Sequence, residues 1–281
     1  MFAIIPARYS SVRLPGKMLL PIAGKALIVH TVERAREAAM VDQVIVATDD
    51  DRIVEAVTSA GYQATLTSRE HPSGSDRVAE VAAGLPPGSI IVNVQGDEPV
   101  ISPNTIDRAV EALLRDTNAD MATTSEPIES LGDLLNGNNV KVVVGDSGYA
   151  VYFSRSPMPW PRDASLRHGG DPNRAIEEEP ELLLNFRKHT GLYVYRREYL
   201  LKLTRLEPTT LEKFEMLEQL RALENGAKIR VVDTVAKSIG VDTPDDLALV
   251  RRMLEADRGA ETGAEGSSHD ATHEGSLETT V

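Results

Sequence analysis

The sequence contains no cysteine, which excludes disulfides, iron–sulfur clusters, thiolate zinc sites and cysteine nucleophiles. It also has no stretch near the roughly 18 consecutive apolar residues that a membrane-spanning helix needs. The first six residues lack the basic region of a signal peptide, so we expect a cytoplasmic protein. Lys and Arg number 30 against 43 Asp and Glu, for a net charge of −13. Since a nucleic-acid binder normally presents a basic face, that partner class is disfavoured.

The 281 residues are 41% hydrophobic, enough for the core of one large α/β domain. Residues 258–281 differ from the rest, with one basic and five acidic residues and almost no large apolar side chain. Such a segment buries too little surface to offset its ordering entropy. We therefore predict one domain over residues 1–257 and a disordered acidic tail over 258–281.

Apolar strands alternate with one-faced helices in the first half of the chain. The pattern predicts strands at residues 2–5, 43–48, 64–67 and 90–94, and helices at about 27–39, 51–60, 75–83 and 103–114. This alternation is typical of a parallel sheet covered by helices on both faces. Ligands of such sheets bind outside the carboxyl ends of the strands, so the loops after residues 5, 48, 67 and 94 are the ones to inspect.

The pattern changes after residue 120. Residues 141–144 and 149–154 flank Gly145-Asp146-Ser147-Gly148 and predict a hairpin. Residues 155–185 are rich in Pro, Arg and acids and indicate an arm or insertion. Further strands are predicted at 191–195 and 228–233, with helices near 211–224 and from 244 onward. The fold class is therefore α/β, with a mostly parallel central sheet and a smaller antiparallel or arm insertion.

The first loop, residues 6–17 (PARYSSVRLPGK), places Arg8, Arg13 and Lys17 directly after a strand. A triphosphate needs such cations together with backbone N–H groups. The loop matches neither a P-loop nor a dinucleotide-binding fingerprint. A solvated basic loop is the alternative interpretation.

Two acidic positions suit a hard cation such as Mg²⁺, which takes one or two carboxylates beside phosphates and water. Asp97 follows an apolar strand in residues 93–99 (NVQGDEP), and Ser102-Pro103 already supplies the start of the next helix. Asp242 stands just before Thr243-Pro244, the predicted helix start. An ordinary turn is the alternative at both positions.

Other polar segments have competing interpretations. Residues 71–77 (HPSGSDR) enter a helix N-terminus, which is either an anion or base site or a capped turn. Asp49, Asp50 and Asp51 mimic the Asp-x-Asp of glycosyltransferases, but we interpret them as helix N-terminal charges.

Taken together, these segments resemble the 3-deoxy-manno-octulosonate cytidylyltransferase family (CMP-Kdo synthetases). The resemblance covers residues 2–257 in family order and excludes the tail. Its segments are 6–17 (PARYSSVRLPGK), 71–77 (HPSGSDR), 93–99 (NVQGDEP), 140–143 (VKVV), 152–155 (YFSR), 159–160 (PW), 189–193 (HTGLY), 215–221 (EMLEQLR) and 240–244 (GVDTP).

The resemblance implies a Rossmann-like nucleotidyltransferase fold, a homodimer, and a reaction in which CTP and Kdo, with Mg²⁺, give CMP-Kdo for lipopolysaccharide synthesis and pyrophosphate. It implies Lys17, Asp97 and Asp242 as catalytic residues, with Asp97 and Asp242 holding Mg²⁺. The implied nucleotide-binding residues are Arg8, Arg13, Lys17, Ser73, Arg77 and Gln95. The implied sugar-binding residues are Gln95, Arg162, His189, Tyr193, Glu215, Glu218 and Gln219. The arm would belong to the sugar side and the dimer interface.

Three alternatives stay open. The sugar could be the 8-amino analogue of the octulosonate or another acidic sugar, although the first loop differs from the Gly-Ser-Lys type usual in sialic-acid synthetases. A metal-dependent glycosyltransferase would be built around Asp49–Asp51. A nucleotide-sensing regulator would need no transfer geometry, and the intact set of Arg13, Lys17, Asp97 and Asp242 argues against it.

Overall fold

A computed structural model describes residues 1–10, 14–234, 236–237 and 239–266, with residues 257–266 described by their backbone alone. The strands are β1 (Phe2–Ala7), β2 (Pro21–Ile22), β3 (Lys25–Ala26), β4 (Gln43–Thr48), β5 (Gln63–Leu66), β6 (Ile90–Asn93), β7 (Met121–Pro127), β8 (Lys141–Val144), β9 (Ala150–Ser154), β10 (Arg187–Arg196) and β11 (Ile229–Asp233). Among these residues, no helix combines the length and apolar character that a membrane crossing requires.

The α-helices are α1 (Leu27–Arg36), α2 (Asp51–Ser59), α3 (Gly74–Ala83), α4 (Pro103–Arg115), α5 (Leu131–Leu135), α6 (Arg162–Arg167), α7 (Pro172–Glu178), α8 (Arg197–Leu203), α9 (Thr210–Glu215), α10 (Gln219–Glu224) and α11 (Pro244–Gly266). Two short 3-10 helices span Lys17–Leu19 and Pro180–Asn185. The helices predicted in the first half of the chain all form, within a few residues of their predicted bounds.

Strand order in the central sheet is β11-β7-β10-β6-β1-β4-β5. The half made of β6, β1, β4 and β5 is parallel, as the alternation of strands and helices predicts. β10 runs antiparallel between β6 and β7, and β11 pairs parallel with β7. The carboxyl ends of β1, β6, β7 and β11 therefore lie at one edge of the sheet, where ligands of such sheets bind.

Alternate residues of β1 enter two separate cores, as the period of two requires. Ala3 and Ile5 pack with α1, α2, α4 and α11 on one face. Ile4 packs on the other face with α3, α8, α10 and the β8–β9 hairpin. The predicted α/β class with helices on both faces is confirmed.

The arm packs on a third, smaller core. Ile176 of the arm packs there with Ile128, Leu134 and Phe186, which lie outside the arm. Helices α6 and α7 and the 3-10 helix Pro180–Asn185 form the segment that the sequence marks as an insertion. This minor core joins the arm to the segment around α5.

Three features differ from the sequence expectations. β7 was not predicted, because its Thr-rich sequence MATTSEP lacks the apolar run of a buried strand, yet six of its seven residues are buried. The helix expected over 211–224 is broken into α9 and α10 at Met216, whose φ of 55° is left-handed. The boundary predicted after Asp257 falls inside α11, because the helix continues through the helix-forming Ala and Glu residues to Gly266. Residues 267–281 of the predicted tail lie outside the described residues.

Candidate active site

Lys17 joins the two carboxylates that the sequence singles out. Its Nζ donates to Asp97 Oδ2 at 2.5 Å, to Asp242 Oδ1 at 2.9 Å and to the Val241 carbonyl oxygen at 3.0 Å. The Lys17 side chain is only 9% exposed, against 25% for Asp97 and 40% for Asp242. The three predicted catalytic residues therefore form one cluster, although the chain separates Lys17 from Asp242 by more than 200 residues.

Backbone contacts hold this cluster together. Gly96 lies so close to the first strand that an added Cβ would stand 2.9 Å from the Pro6 carbonyl oxygen. The Gly96 carbonyl accepts a hydrogen bond from Thr31 Oγ1 at 2.9 Å. The Val241 N–H donates to the Asp97 carbonyl at 2.8 Å. The glycine thus lets two strand-end loops meet, as its position in the motif suggests.

The start of α11 leaves Asp242 available to the cluster. Thr243 Oγ1 accepts from the Asp246 N–H at 3.2 Å, and Asp246 Oδ2 accepts from the Thr243 N–H at 2.8 Å. This reciprocal cap satisfies the helix N-terminus without the Asp242 side chain. The prediction that Thr243 caps the helix and that Asp242 lies outside it is confirmed.

Electrostatics keep the cluster ionic. Burial lowers the pKa of Lys17, but the charges and hydrogen bonds of Asp97 and Asp242 outweigh burial and raise that pKa above its ordinary value. Lys17 is therefore charged at neutral pH. Two carboxylate oxygens and one carbonyl oxygen already converge on a single cation here. Oxygen donors of this kind fit Mg²⁺, which needs few protein ligands when a phosphate supplies others.

The predicted nucleotide residues are distributed unevenly around this edge. Arg8 is half-buried and donates to the His71 carbonyl at 2.8 Å, so the first loop touches the segment before α3. Ser73 caps α3 by accepting from the Asp76 N–H at 3.2 Å. Arg13 lies outside the described residues. The first loop and the helix entry therefore adjoin each other, as a shared nucleotide site would require.

Arg77 has internal partners. Its side chain is fully buried and its guanidinium binds Asp49 Oδ2 at 2.8 Å and the Thr67 hydroxyl. Asp50 caps α2 as expected, whereas Asp49 serves as the partner of Arg77. The role of Arg77 as a nucleotide ligand stays a prediction. Tertiary packing, rather than helix capping, accounts for Asp49.

A cavity of about 140 Å³, with both polar and apolar side chains in its wall, adjoins the loop that carries Asp97. Gln95, two residues before Asp97, lines it and donates to the Gly191 carbonyl at 3.0 Å. Gly191 sits in a register shift of β10 against β7, where a Cβ would come within 3.0 Å of Gln95 Cγ. The lining residues are Gly74, Ser75, Asn93, Gln95, Met121, Tyr193, Tyr195, Leu203, Glu218 and Gln219.

Glu218 and Gln219 reach the cavity because the predicted helix is broken. Glu218 accepts hydrogen bonds from Ser73 Oγ at 3.0 Å and Ser75 Oγ at 2.8 Å. Burial raises the pKa of Glu218 against the lowering effect of these two hydroxyls. Glu218 thus joins the start of α10 to the start of α3. The contact links Ser73, predicted to bind the nucleotide, with Glu218, predicted to bind the sugar.

His189 and Tyr193 form an aromatic wall on β10. The His189 ring packs edge-on against Phe153 at 5.1 Å and lies 5.2 Å from the Tyr193 ring. His189 Nε2 lies 2.9 Å from Thr123 Oγ1. Burial lowers the pKa of His189 to about 3, so the ring is neutral at physiological pH. Tyr193 lines the cavity directly, whereas His189 packs behind it.

Glu215 and Arg162 lie apart from the cavity. Glu215 accepts from Ser154 Oγ at 2.6 Å and from the Arg155 N–H at 3.0 Å, and so joins α9 to the β8–β9 hairpin. Arg162 is exposed at the start of α6 and lines a separate cavity of about 430 Å³ within the arm. In one continuous helix the spacing i, i+3, i+4 would place Glu215, Glu218 and Gln219 on one face, but the left-handed Met216 turns the chain between the first and the other two.

Several residues of the cavity have no role predicted from the sequence. Ser75, Asn93 and Tyr195 all line it. A signal existed for Asn93, because it is the polar residue that ends an otherwise apolar strand. Tyr195 could be placed only by the register of β10, which pairs it with Ile91.

Comparison with known proteins shows which family the chain belongs to. A family model described as cytidylyltransferase covers residues 2–229. The 3-deoxy-manno-octulosonate cytidylyltransferase of Geotalea daltonii is 53% identical over 92% of this chain and 98% of its own length. The chain belongs to the 3-deoxy-manno-octulosonate cytidylyltransferase family. The member from Pseudomonas fluorescens is 49% identical over 90% of this chain and 97% of its own.

Solved structures place the family's fold on this chain. A structure of CMP:2-keto-3-deoxy-manno-octonic acid synthetase complexed with CTP matches with a TM-score of 0.80 and 39% identity, covering 91% of this chain and 98% of that one. A cytidylyltransferase from Leptospira borgpetersenii matches with a TM-score of 0.57 at 15% identity over 98% of both chains, which supports the fold alone. The Rossmann-like nucleotidyltransferase fold expected of the family is thus confirmed.

Proposed function

We propose that this chain transfers CMP from CTP to 3-deoxy-manno-octulosonate, releasing pyrophosphate and forming CMP-Kdo for lipopolysaccharide synthesis. The observation that carries the proposal is that the Lys17–Asp97–Asp242 cluster and the cavity share one loop. Only Gly96 separates Asp97 of the cluster from Gln95 of the cavity. A site for phosphate transfer and a site for a polyhydroxylated acceptor therefore adjoin each other.

The reaction joins two bound substrates and needs little covalent help from the protein. The anomeric hydroxyl oxygen of the sugar acid attacks the α-phosphorus of CTP in line. The bond from that phosphorus to the bridging oxygen breaks, pyrophosphate leaves, and the hydroxyl proton is released. Such transfers depend mainly on positioning and charge neutralisation. In this proposal Lys17 and Arg8, together with Arg13 of the first loop, neutralise the triphosphate.

Asp97 and Asp242 would hold Mg²⁺ in this proposal. Their oxygens already converge on one cationic group, the Lys17 ammonium, at 2.5 and 2.9 Å. A bound Mg²⁺ supplies fixed positive charge that offsets negative charge on substrate phosphate oxygens. Lys17 would then be released from part of its carboxylate contacts to meet the triphosphate.

The test is pyrophosphate release from CTP and Mg²⁺ with three acceptors in parallel. We expect release with 3-deoxy-manno-octulosonate and little with its 8-amino analogue or N-acetylneuraminate. Pyrophosphate release with the 8-amino sugar alone would support the cytidylyl transfer reaction but change the identity of the acceptor sugar. If protein that still binds CTP releases no pyrophosphate with any of the three acceptors, the proposed transferase activity is contradicted.

The metal role has a separate test. Asp97→Asn keeps the side-chain shape while removing one negative charge, and we expect turnover to fall about 10²–10³-fold. Asp107→Asn is the matched control, because Asp107 accepts backbone N–H groups of residues 39 and 40 far from the cluster. Near-normal turnover of Asp97→Asn at low Mg²⁺ would contradict the role of Asp97.

We also propose that the chain works as a homodimer through the arm and α9. Large apolar side chains are exposed there, including Leu184 at 75% and Phe214 at 87% exposure, with Trp160 nearby on the arm at 63%. Large exposed apolar side chains are typical of interface residues. Sedimentation analysis of Leu184→Glu with Phe214→Glu should give a monomer; a wild-type protein that is itself monomeric at micromolar concentration would contradict the proposal.

A further inference from the structure

Asn93 lines the cavity that also holds Gln95 and Glu218, but the proposed function gives it no role. It is the last residue of β6 and is 2% exposed. Its side-chain oxygen, Oδ1, is buried and accepts no hydrogen bond from any part of the chain that the structure describes. A buried acceptor without a donor costs about 1–3 kcal/mol, so native structures rarely keep one without a reason.

The strand geometry explains why Asn93 faces the cavity. Ile90 and Val92 pack into the core on one face of the sheet, and Ile91 packs into the core on the other. Asn93 follows the alternation and shares the face of Ile91. It stands opposite Tyr193 on β10, and its Oδ1 is a buried acceptor without a donor.

The surroundings of Asn93 select the chemistry of a ligand. The cavity of about 140 Å³ has room for several waters or for part of a ligand. Glu218, which accepts hydrogen bonds from two serine hydroxyls, adds further polar oxygens to its wall. Hydroxyl groups suit the wall, because they can donate to Oδ1 of Asn93 and accept from amides such as that of Gln219. A polyhydroxylated ligand can donate and accept such hydrogen bonds at several adjacent positions.

We propose that Asn93 is a specificity-determining residue of the acceptor site, whose Oδ1 accepts a hydrogen bond from a hydroxyl of the sugar acid. This inference rests on the proposed function, because it takes the acceptor of that reaction as the occupant of the cavity. A site built to hydrogen-bond a hydroxyl rejects ligands that lack it, since the buried partner would stay unsatisfied. Asn93 therefore distinguishes polyhydroxylated acceptors from deoxygenated ones.

The test separates binding of the two substrates. Asn93→Leu removes the amide with little change of volume, and we expect the KM for the sugar acid to rise about 10-fold while the KM for CTP stays within about 2-fold. The matched control is Thr124→Val, which also removes a buried polar group from a strand of the same sheet but lies outside the cavity lining. Its sugar KM should equal that of the wild type. If Asn93→Leu does not fold, Asn93→Ala is measured instead.

Isothermal titration of the sugar acid into each protein gives a second readout, independent of turnover. A 10-fold weaker sugar affinity in the Asn93 variant supports the inference. If the KM and affinity for the sugar are unchanged in the Asn93 variant, or if KM rises equally for the sugar and for CTP, the inference is wrong. The proposed function would still stand as long as the wild type turns over the sugar acid. A wild type that neither binds nor uses the sugar acid would overturn both.

Discussion

Replacing Lys17 by Met tests whether the two carboxylates are held together as a cation site. The substitution keeps most of the side-chain volume and removes the ammonium that binds Asp97 and Asp242 at 2.5 and 2.9 Å. Removing one partner of a fully buried ion pair costs about 3–5 kcal/mol. Because Asp97 and Asp242 keep 25% and 40% of their surface exposed, solvent screens them and the loss is smaller. We expect Lys17→Met to lower the free energy of unfolding by about 2 kcal/mol.

A loss of that size lowers Tm by roughly 4–8 °C in a domain of this length. The two carboxylates are left facing each other, so a divalent cation can take the place of the ammonium. Mg²⁺ at ten times its Kd would restore about 1.4 kcal/mol to the free energy of unfolding. The assay is thermal unfolding of Lys17→Met with and without Mg²⁺, in the absence of nucleotide.

Lys25→Met is the matched control for this experiment. Lys25 also binds a carboxylate, Glu33, at 2.6 Å, but the lysine is 47% exposed. Exposed pairs contribute at most about 1 kcal/mol, so its Tm should change little and should not respond specifically to Mg²⁺. Equal Tm values for the two variants, or no difference in their response to Mg²⁺, would refute the reasoning that Lys17 neutralises a cation site.

Three further predictions concern other parts of the site. The ring-proton NMR shifts of His189, whose pKa is lowered to about 3 by burial, should not titrate between pH 5 and 8; a midpoint near 6.5 would contradict its burial. Burial raises the pKa of Glu218, so between pH 4.5 and that raised value the folded state binds more protons than the unfolded state, and stability falls as pH rises. Glu218→Gln should lack this fall, so its urea unfolding midpoint should rise relative to that of the wild type as pH increases. If the midpoints of the two proteins change with pH in parallel, the prediction is wrong. Gly96→Ala should lose about 1–3 kcal/mol because its Cβ would meet the Pro6 carbonyl at 2.9 Å, whereas Gly137→Ala, with open space around it, should stay near wild type in the same denaturation assay.

Local patterns in the sequence determined the parallel half of the fold and the loops that bear chemistry. Apolar runs of strand length alternate with one-faced helices, and this period is a property of neighbouring residues. The rule that ligands bind at the carboxyl ends of parallel strands then identified the loops of Lys17 and Asp97. Resemblance to the cytidylyltransferase family supplied the roles of Gln95, Glu218 and Gln219, which local patterns could not assign.

The tertiary structure decided which polar groups meet. Lys17 meets Asp242 across 225 positions of the chain, and Arg77 binds Asp49, because packing of distant segments sets these distances. Strand β7 is buried despite its threonines, since neighbours on both sides pair its backbone. Beyond the break at Met216, Glu218 binds the hydroxyls of Ser73 and Ser75 at the start of α3, contacts that no local pattern encodes. Sequence periodicity is local, whereas a site is made of partners whose positions depend on the whole fold.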